Sequence, residues 1–360
     1  MINLISSGFY GKTLHKVTKN LFKQLNINYA NIVFHTETFK GAKARQIDWV
    51  DYSQLVRIKQ IPLDKNDLIP LDEELITKMS NCERVVLKMI ERIVPYGKYE
   101  YQTGVNLYYL YLRYWNHIIE KNKINLFLSA NVPHEGFDFV IYELCKLKNI
   151  PVLFLYHQSQ ITDTALIMHD WKKNSLELQK RYKYLKKHLG RKDEIKLSPQ
   201  FEEQYQSQLS GGSRAIPFYM IKKTWLKRNI SFVSLYFAKL FEPYKKNPGV
   251  LLYKIINPVK WIKLFYFVYQ VAARRAVTTS LELYYKIYYK RISKYPDLSK
   301  PYIYIALQYQ PELSTSPLAD AFVDQDLIVQ MISKYAPKDI LIYVKEHPNQ
   351  TYFCRDKKFY

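Results

Sequence analysis

The sequence predicts an α/β protein with parallel strands, because one order of apolar and polar runs occurs twice and because the chain is long and apolar enough for two cores. Near residue 125, and again near residue 302, an apolar run is followed by a polar loop, an amphipathic run and a second apolar run. This order of strand, loop, helix and strand is that of a βαβ unit. The chain has 360 residues, and 48% of them are hydrophobic, which is enough for two cores. We therefore expect two Rossmann-like halves that face a cleft.

The elements of the first half follow from the spacing of apolar residues. Runs at helical spacing predict helices, and short continuous runs predict strands. Asn81 and Asp138 are the expected caps of two of the helices. The predicted elements are, in order, a strand over 30–35, helices over 83–93 and 105–121, a strand over 125–129, a helix over 138–148 and a strand over 151–156.

The second unit has two polar loops, one after each predicted strand. A strand over 302–308 leads to the first loop, and a helix over 324–335 leads to a second strand over 340–344. Adjacent parallel strands point the same way, so both loops open on one edge of the sheet, where open α/β sheets bind ligands. A Gln/Glu/Ser/Thr loop beside a Lys/His loop predicts a site for a phosphorylated, hydroxyl-rich ligand.

The residue types of these loops suit such a ligand. Amide, carboxylate and hydroxyl groups hydrogen bond sugars, and an ammonium or imidazole donates to phosphate oxygens. The alternative is an ordinary loop whose hydroxyls cap a helix, beside a solvent-facing loop with incidental charges. The candidate binding residues are Gln310, Glu312, Ser314, Thr315, Lys345 and His347.

A third polar loop, 131–136, follows the strand over 125–129. Either His134 or Glu135 could take a proton from a substrate hydroxyl, and Gly136 would let the backbone turn tightly or approach a ligand. The alternative is a capping loop in which Glu135 is favoured near a helix N-terminus. His157 and Gln158 follow the next strand, and we expect a core or loop role for them.

The chain is strongly basic, with a net charge of +22. Residues 214–300 contain 18 Lys and Arg but three acidic residues, so +15 of the net charge lies there, among many aromatic residues. Such a region could lie on an anionic membrane surface or bind nucleic acid. It could also form ordinary amphipathic helices of a protein with a biased composition. Of the two partners, we expect the membrane rather than nucleic acid.

Several other classes are excluded by missing patterns. The three cysteines have no short spacing, so neither a zinc site nor a disulfide framework is predicted, and a reducing compartment is expected. The N-terminus lacks the features of a signal peptide, and the most apolar window, 264–273, is too short for a membrane span. We expect a cytoplasmic protein, with peripheral attachment to the inner face of the cytoplasmic membrane as the alternative.

Common catalytic motifs are absent as well. The chain has no phosphate-loop, dinucleotide, serine-hydrolase or zinc-protease signature, and no paired acidic metal motif. We therefore expect an enzyme that needs neither a metal ion nor a bound cofactor.

Five short motifs together resemble one family. They are Gln310–Glu312, Ser314–Pro317, Phe322–Gln325, Lys345–Pro348 and, in the middle of the chain, Pro133–Gly136. With these motifs the chain is similar to the capsule polysaccharide biosynthesis glycosyltransferases, which are related to bacterial Kdo transferases and more distantly to bacterial sialyltransferases. The match covers about 50 residues near the C-terminus and 30 in the middle.

The resemblance implies a GT-B fold with the acceptor mainly on the first domain and the nucleotide sugar mainly on the second. The implied divisions are an acceptor domain over 1–165, a basic helical or linker region over 166–300, and the start of a donor domain over 301–360. The family pattern continues with further strands after the His-Pro loop. We therefore expect a second domain that is incomplete because the chain is truncated.

The resemblance also implies a mechanism, an inverting transfer from a nucleotide sugar such as a CMP-linked ulosonic acid to a glycan or glycolipid. In related sialyltransferases a His-Pro motif contacts the nucleotide phosphate, which His347 matches, and an acidic residue before a glycine is the base. Glu135 is its counterpart, but His134 replaces the acid that precedes it, so the base stays open between the two. The rivals are a CDP-glycerol-type phosphotransferase and a non-catalytic, membrane-peripheral protein of polysaccharide assembly.

Overall fold

The first part of the chain forms one sheet with helices on both faces. The structure is a computed structural model, and it describes residues 1–34, 44–56, 67–90, 101–156, 164–189, 196–211, 283–310 and 312–347, with isolated positions that include Gln350 and Arg355. The strands of this sheet are β1 (Ile2–Ser7), β2 (Ile27–Phe34), β3 (Gln46–Asp51), β4 (Leu126–Ser129), β5 (Val152–Tyr156) and β6 (Leu166–Met168). The helices of this part are α1 (Gly11–Gln24), α2 (Tyr52–Val56), α3 (Glu73–Lys78), α4 (Ser80–Ile90), α5 (Tyr101–Lys121), α6 (Phe137–Leu147), α7 (Leu176–His188) and α8 (Pro199–Leu209).

The strand order is β3-β2-β1-β4-β5-β6. The first five strands run parallel, and β6 pairs antiparallel with β5 at one edge. Parallel neighbours need crossover connections, which α1 provides between β1 and β2 and α6 provides between β4 and β5. The α/β class predicted from the sequence is therefore confirmed, and the sheet is compatible with a Rossmann-like fold.

Neighbouring residues of β1 enter different cores, because successive side chains of a strand point to opposite faces. Ile5 belongs to the main core, which also takes buried residues from α3, α4, α5 and α6. Leu4 packs on the other face with Phe22 of α1. Each large apolar side chain that is fully buried contributes roughly 1.5–3 kcal/mol, so both faces stabilise the sheet.

Helix α5 is buried along much of its length although it is rich in tyrosine. The hydroxyl of Tyr108 donates to the backbone oxygen of Met79 at 2.9 Å, and that of Tyr111 donates to the backbone oxygen of Leu55 at 2.7 Å. A buried hydroxyl without such a partner would cost stability. These hydrogen bonds allow an aromatic helix to pack against α4 and α6.

A separate sheet of two parallel strands follows near the end of the chain. It consists of β7 (Tyr302–Ala306) and β8 (Leu341–Lys345), with α9 (Asp326–Tyr335) between them in sequence. After β7, Leu313 and Leu318 pack against the main core. This region therefore belongs to the same compact unit as the first sheet. That unit comprises Met1–Glu202 and Leu298–Gln350, and a second unit comprises Glu203–Asp297 and Thr351–Tyr360.

Most predicted elements match observed ones within a few residues. The predicted cap at Asn81 is wrong, because α3 leads directly into α4, which already begins at Ser80. His157, Gln158 and most of the basic region over 214–300 lie outside the described residues. No helix in the described ranges is long and apolar enough to cross a membrane.

Candidate functional site

The strand order reverses at the middle of the six-stranded sheet, between β1 and β4, and a crevice is expected at the carboxyl ends of these two strands. From β1 the chain returns through α1 to β2 on one side, and from β4 it returns through α6 to β5 on the other. Where the strand order reverses in this way, the connections on the two sides diverge. Open α/β sheets bind ligands in the crevice that forms there. Ser7 and Ser129 are register partners at the ends of these strands, so the loops after them are neighbours.

Two glycines shape these loops. Gly8 has a φ of +82°, and a Cβ at this position would lie 3.4 Å from the Cβ of Ala130. Gly136 has a φ of +81° directly before α6. Side chains other than hydrogen are disfavoured at such angles. The tight turn predicted at Gly136 is therefore present, and it sets the direction of the residues just before it.

Glu135, in the loop after β4, has a hydrogen-bond donor on one side and an imidazole on the other. Tyr52, directly after β3, donates from its hydroxyl to Oε2 of Glu135 at 2.9 Å. Nε2 of His134 lies 3.6 Å from Oε1. The side chain of Glu135 is still 31% exposed and that of His134 is 17% exposed. The carboxylate is thus oriented by its neighbours and remains open to a ligand.

The ring of His134 has an oxygen near each nitrogen. Nδ1 lies 2.6 Å from the carbonyl oxygen of Val132, which can only accept, so Nδ1 carries a hydrogen. Nε2 faces the carboxylate of Glu135. If the ring is protonated, it points an N–H at the Val132 oxygen and at Glu135, and Glu135 is then the proton acceptor. If the ring is neutral, Nε2 has a lone pair and can itself accept a proton. The two residues together can therefore accept a proton whether or not His134 is protonated.

Asp138 fixes the loop that carries this pair. Its carboxylate accepts from the backbone N–H of Glu135 at 2.7 Å and from that of His134 at 3.2 Å. Burial, together with the negative charge of Glu135, raises the pKa of Asp138 to about 7, although the backbone N–H groups act in the opposite direction. The predicted role as the helix cap needs correction. Gly136 is the N-cap of α6, and Asp138 instead holds the preceding loop.

Two tyrosines near Glu135, Tyr10 and Tyr52, were not predicted from the sequence. The rings of Tyr10 and Tyr52 pack edge to face, with centroids 5.6 Å apart. Burial raises the pKa of both hydroxyls, and the charges of Glu135 and Asp138 raise it further. Both phenols therefore stay protonated, and that of Tyr52 donates to Glu135. A signal for Tyr52 was present, because it directly follows the strand-like run Gln-Ile-Asp-Trp-Val-Asp.

The loops after β7 and β8 meet at one edge of the smaller sheet, as expected. Ala306 and Lys345 are register partners at the strand ends, and the backbone N–H of Leu307 donates to the oxygen of Lys345 at 2.9 Å. The rings of Tyr309 and His347 lie 5.6 Å apart between centroids. The two loops are thus close enough to contact one ligand.

The predicted binding residues of these loops differ in exposure. Gln310 and Thr315 are buried, Glu312, Ser314 and His347 are half-buried, and Lys345 is exposed. Oγ1 of Thr315 accepts from the backbone N–H of Glu312 at 3.0 Å and donates to its backbone oxygen at 2.9 Å. Thr315 therefore shapes the loop, and its role in binding stays a prediction.

A small pocket of about 190 Å³ lies between α4 and the segment that follows the Gln310 loop. Lys88 of α4 pairs with Asp324 of that segment at 2.9 Å. The two exposed partners contribute little stability, but they lie where the segment packs against the first sheet's helices. The polar residues of the pocket are Arg84, Lys88, Thr315, Ser316, Asp320 and Asp324.

Neither a metal centre nor a known relative identifies the chemistry of these clusters. Among the residues that the structure describes, no three His, Cys, Asp or Glu side chains group closely enough to hold a metal ion. Comparison of the chain with known protein families, with curated proteins and with solved structures found no match. The groups themselves indicate what each cluster can do. In the first cluster, His134 and Glu135 can accept a proton, and in the second, Lys345 and His347 can donate hydrogen bonds to oxygen.

Proposed function

We propose that this chain is a glycosyltransferase of capsular or other surface polysaccharide synthesis. The observation that carries the proposal is Glu135, whose carboxylate accepts a hydrogen bond from Tyr52, lies beside His134 in the loop after β4, and is still 31% exposed. A general base must lie within hydrogen-bond reach of the hydroxyl that it deprotonates. An oriented, accessible carboxylate meets that requirement for the hydroxyl of a glycan or glycolipid acceptor.

The proposed reaction is a single displacement with inversion. Glu135 or His134 takes the proton of the acceptor hydroxyl, and the oxygen forms a bond to the anomeric carbon of the donor. The bond from that carbon to the phosphate oxygen breaks, and its electron pair leaves with the nucleotide. Lys345 offers positive charge, and Lys345 and His347 both offer hydrogen bonds, to the departing phosphate. The donor that fits best is a CMP-linked ulosonic acid such as Kdo.

The two clusters fit the two halves of a GT-B enzyme. In this proposal the six-stranded sheet belongs to the acceptor half, and β7, α9 and β8 begin the donor half. Gln310, Glu312, Ser314 and His347 lie around the carboxyl edge of β7 and β8, which is the edge where α/β sheets bind nucleotides. No metal ion or bound cofactor takes part in the proposed reaction.

The proposed location is the cytoplasm, at the inner face of the cytoplasmic membrane. The basic region over 214–300 is the predicted contact, and it lies mostly outside the described residues. Helix α7 supports the same partner, because its cations and two of its tyrosines are exposed. Lysine and tyrosine are typical of helices that lie on anionic lipid. The basic and aromatic residues of α7 are Lys180, Arg181, Tyr182, Lys183, Tyr184, Lys186 and Lys187.

Donor turnover tests the proposal. Purified protein is incubated with CMP-linked Kdo, CMP-linked sialic acid or CDP-glycerol and a capsule-type acceptor, and release of the nucleotide is measured. We expect CMP release, and a loss of roughly a hundred- to a thousandfold in His347→Ala, because one donor to the departing phosphate is removed. Release of CMP from CDP-glycerol would favour a phosphotransferase. Vesicle binding without turnover of any donor would favour a non-catalytic assembly protein.

A further inference from the structure

Two buried glutamines lie beside the loop that carries Gln310. Gln325 is the N-cap residue of α9 and is 3% exposed. Gln350 follows the loop after β8 and is 6% exposed. Buried amides are costly unless both their oxygen and their nitrogen find partners. Their partners therefore indicate what these two side chains do.

Each glutamine hydrogen bonds both backbone groups of one loop residue. Oε1 of Gln325 accepts from the N–H of Gln308 at 2.6 Å, and its Nε2 donates to the backbone oxygen of Gln308 at 3.1 Å. Oε1 of Gln350 accepts from the N–H of Gln310, and its Nε2 donates to the backbone oxygen of Gln310, both at 2.9 Å. The two side chains thus supply the pair of bonds that a neighbouring strand supplies in a sheet.

The backbone also fixes the orientation of the side chain of Gln310. An N–H only donates and a carbonyl only accepts, so the contacts with Gln308 determine which end of the Gln325 amide is nitrogen. That nitrogen also donates to Oε1 of Gln310 at 3.2 Å. The NH₂ group of Gln310 is therefore turned away from Gln325. Within the described part of the chain, no group accepts from it.

We propose that Gln325 and Gln350 are positioning residues that fix residues 308–310, so that the NH₂ group of Gln310 donates to an oxygen of the donor substrate. The inference rests on the proposed function. Phosphate, ribose and sugar oxygens all accept from such a group. A loop that is already ordered loses less conformational freedom when the substrate binds, which favours a low KM for the donor.

Amide hydrogen exchange tests whether the two glutamines hold the loop. We expect Gln325→Met to speed exchange of the Gln308 amide roughly ten- to a hundredfold, and Gln350→Met to do the same for Gln310, because each loses its acceptor. Gln330→Met is the matched control on α9, since Gln330 is exposed and its amide donates to the side chain of Asp326 rather than to the loop. Exchange at the wild-type rate in both variants would overturn the inference.

Steady-state kinetics test whether the loop serves the donor. We expect Gln350→Met to raise the KM for the nucleotide sugar roughly tenfold while kcat changes much less. The reason is that the two hydrogen bonds from Gln350 to the backbone of Gln310 order the loop for donor binding and take no part in the chemical step. Gln350→Glu keeps an acceptor for the N–H of Gln310, so it should lie between Gln350→Met and wild type. An unchanged KM in Gln350→Met with faster exchange at Gln310 would overturn the role in donor binding.

The two experiments separate this inference from the proposed function. Hydrogen exchange needs no turnover, so it decides the role of the two glutamines in holding the loop by itself. If the wild-type protein turned over no donor, the proposed function would fail, and the donor role of Gln310 would fail with it. Circular dichroism checks folding, and Gln350→Glu, which retains one of the two bonds, replaces Gln350→Met if that variant does not fold.

Discussion

In the proposed reaction, His134 and Glu135 are the two candidate acceptors for the proton of the substrate hydroxyl. Tyr52 donates a hydrogen bond to Glu135, and the side chain of Glu135 is also the more exposed of the two, at 31% against 17%. Each ring nitrogen of His134 already faces an oxygen of the protein, a backbone carbonyl at Nδ1 and the carboxylate of Glu135 at Nε2. For the proposed reaction, these contacts favour Glu135 as the base, with the imidazole of His134 beside its carboxylate.

We expect Glu135→Gln to lower kcat roughly a hundred- to ten-thousandfold, because the amide accepts no proton. His134→Gln keeps an N–H donor near Glu135 and should lose less than roughly tenfold. Initial rates of nucleotide release measure both variants. The opposite order of losses would identify His134 as the base.

A matched pair of residues controls for loss of an ordinary tyrosine–glutamate hydrogen bond. Tyr109 donates to Oε2 of Glu83 at 3.2 Å, between α5 and α4. Glu83→Gln should therefore keep nearly the wild-type rate. Equal losses in Glu83→Gln and Glu135→Gln would show that the effect is not specific to the crevice.

Asp138 should make the free energy of unfolding depend on pH. Its ordinary pKa is 3.8, and burial together with Glu135 raises the folded value to about 7. The folded protein therefore binds this proton more tightly, so the stabilisation is complete below about pH 4 and is lost as the pH rises to about 7. The loss is about 4 kcal/mol at most.

Urea unfolding between pH 4 and pH 8 measures this dependence. Asp138→Asn has no proton to release, so its stability relative to wild type should rise across this range. Parallel stability curves for the two proteins would contradict the raised pKa of Asp138.

At the scale of elements, α7 differs from the helices that pack on the sheet. Helices α4, α5 and α6 each bury several residues, whereas α7 buries none. Leu178 and Tyr182 are exposed at helical spacing, with cations on both sides of them. Such a helix can place its apolar side chains in lipid and its lysines against anionic head groups.

We expect the triple variant Lys180→Glu, Lys183→Glu, Lys187→Glu to bind anionic vesicles at least tenfold more weakly than wild type, since each lysine near the surface contributes about 1 kcal/mol. Sedimentation with vesicles of phosphatidylcholine and phosphatidylglycerol measures the binding. The matched control replaces Lys16, Lys19 and Lys23 by Glu, because these lysines are exposed at the same spacing on α1. Equal losses in the two variants would show that net charge alone decides the binding.

At the scale of the molecule, the first compact unit joins two distant parts of the chain. Residues 298–350 group with residues 1–202, and Leu313 and Leu318 pack against the main core. The ion pairs that also join these parts, Lys88–Asp324 and Lys172–Asp320, are exposed and contribute little. Among the described residues, apolar packing of these leucines therefore links the first sheet's core to the segment after β7.

We expect Leu318→Ala to lower the free energy of unfolding by about 1–2 kcal/mol, less than for a fully buried leucine. If the unit unfolds cooperatively, amide protection should fall in β7 and in α5 together. Leu327→Ala on α9 is the control, because Leu327 is 38% exposed and its loss should change stability little. Loss of protection in β7 alone would show that residues 298–350 unfold separately.

Much of the element pattern was predictable from the sequence, because it depends on local spacing. Apolar periodicity predicted α5 over 105–121, where the structure has Tyr101–Lys121, and the strand over 151–156 corresponds to β5. The loops with His134 and His347 were found because polar residues directly follow apolar runs. The cap at Asn81 was wrong because a second helix, α3, lies directly before α4, and periodicity alone does not reveal where one helix leads into another.

The sequence by itself determined the α/β class and the polar loops at the ends of the strands. Only the tertiary structure decided that Tyr52, 83 residues before Glu135, orients its carboxylate, and that Gln350 holds the backbone of Gln310 across 40 residues. The physical reason is that helical and strand periodicities are local, whereas strand order brings residues together over long separations. The order β3-β2-β1-β4 places the end of β4 near residues of distant strands, and that order is fixed by packing on both faces of the sheet.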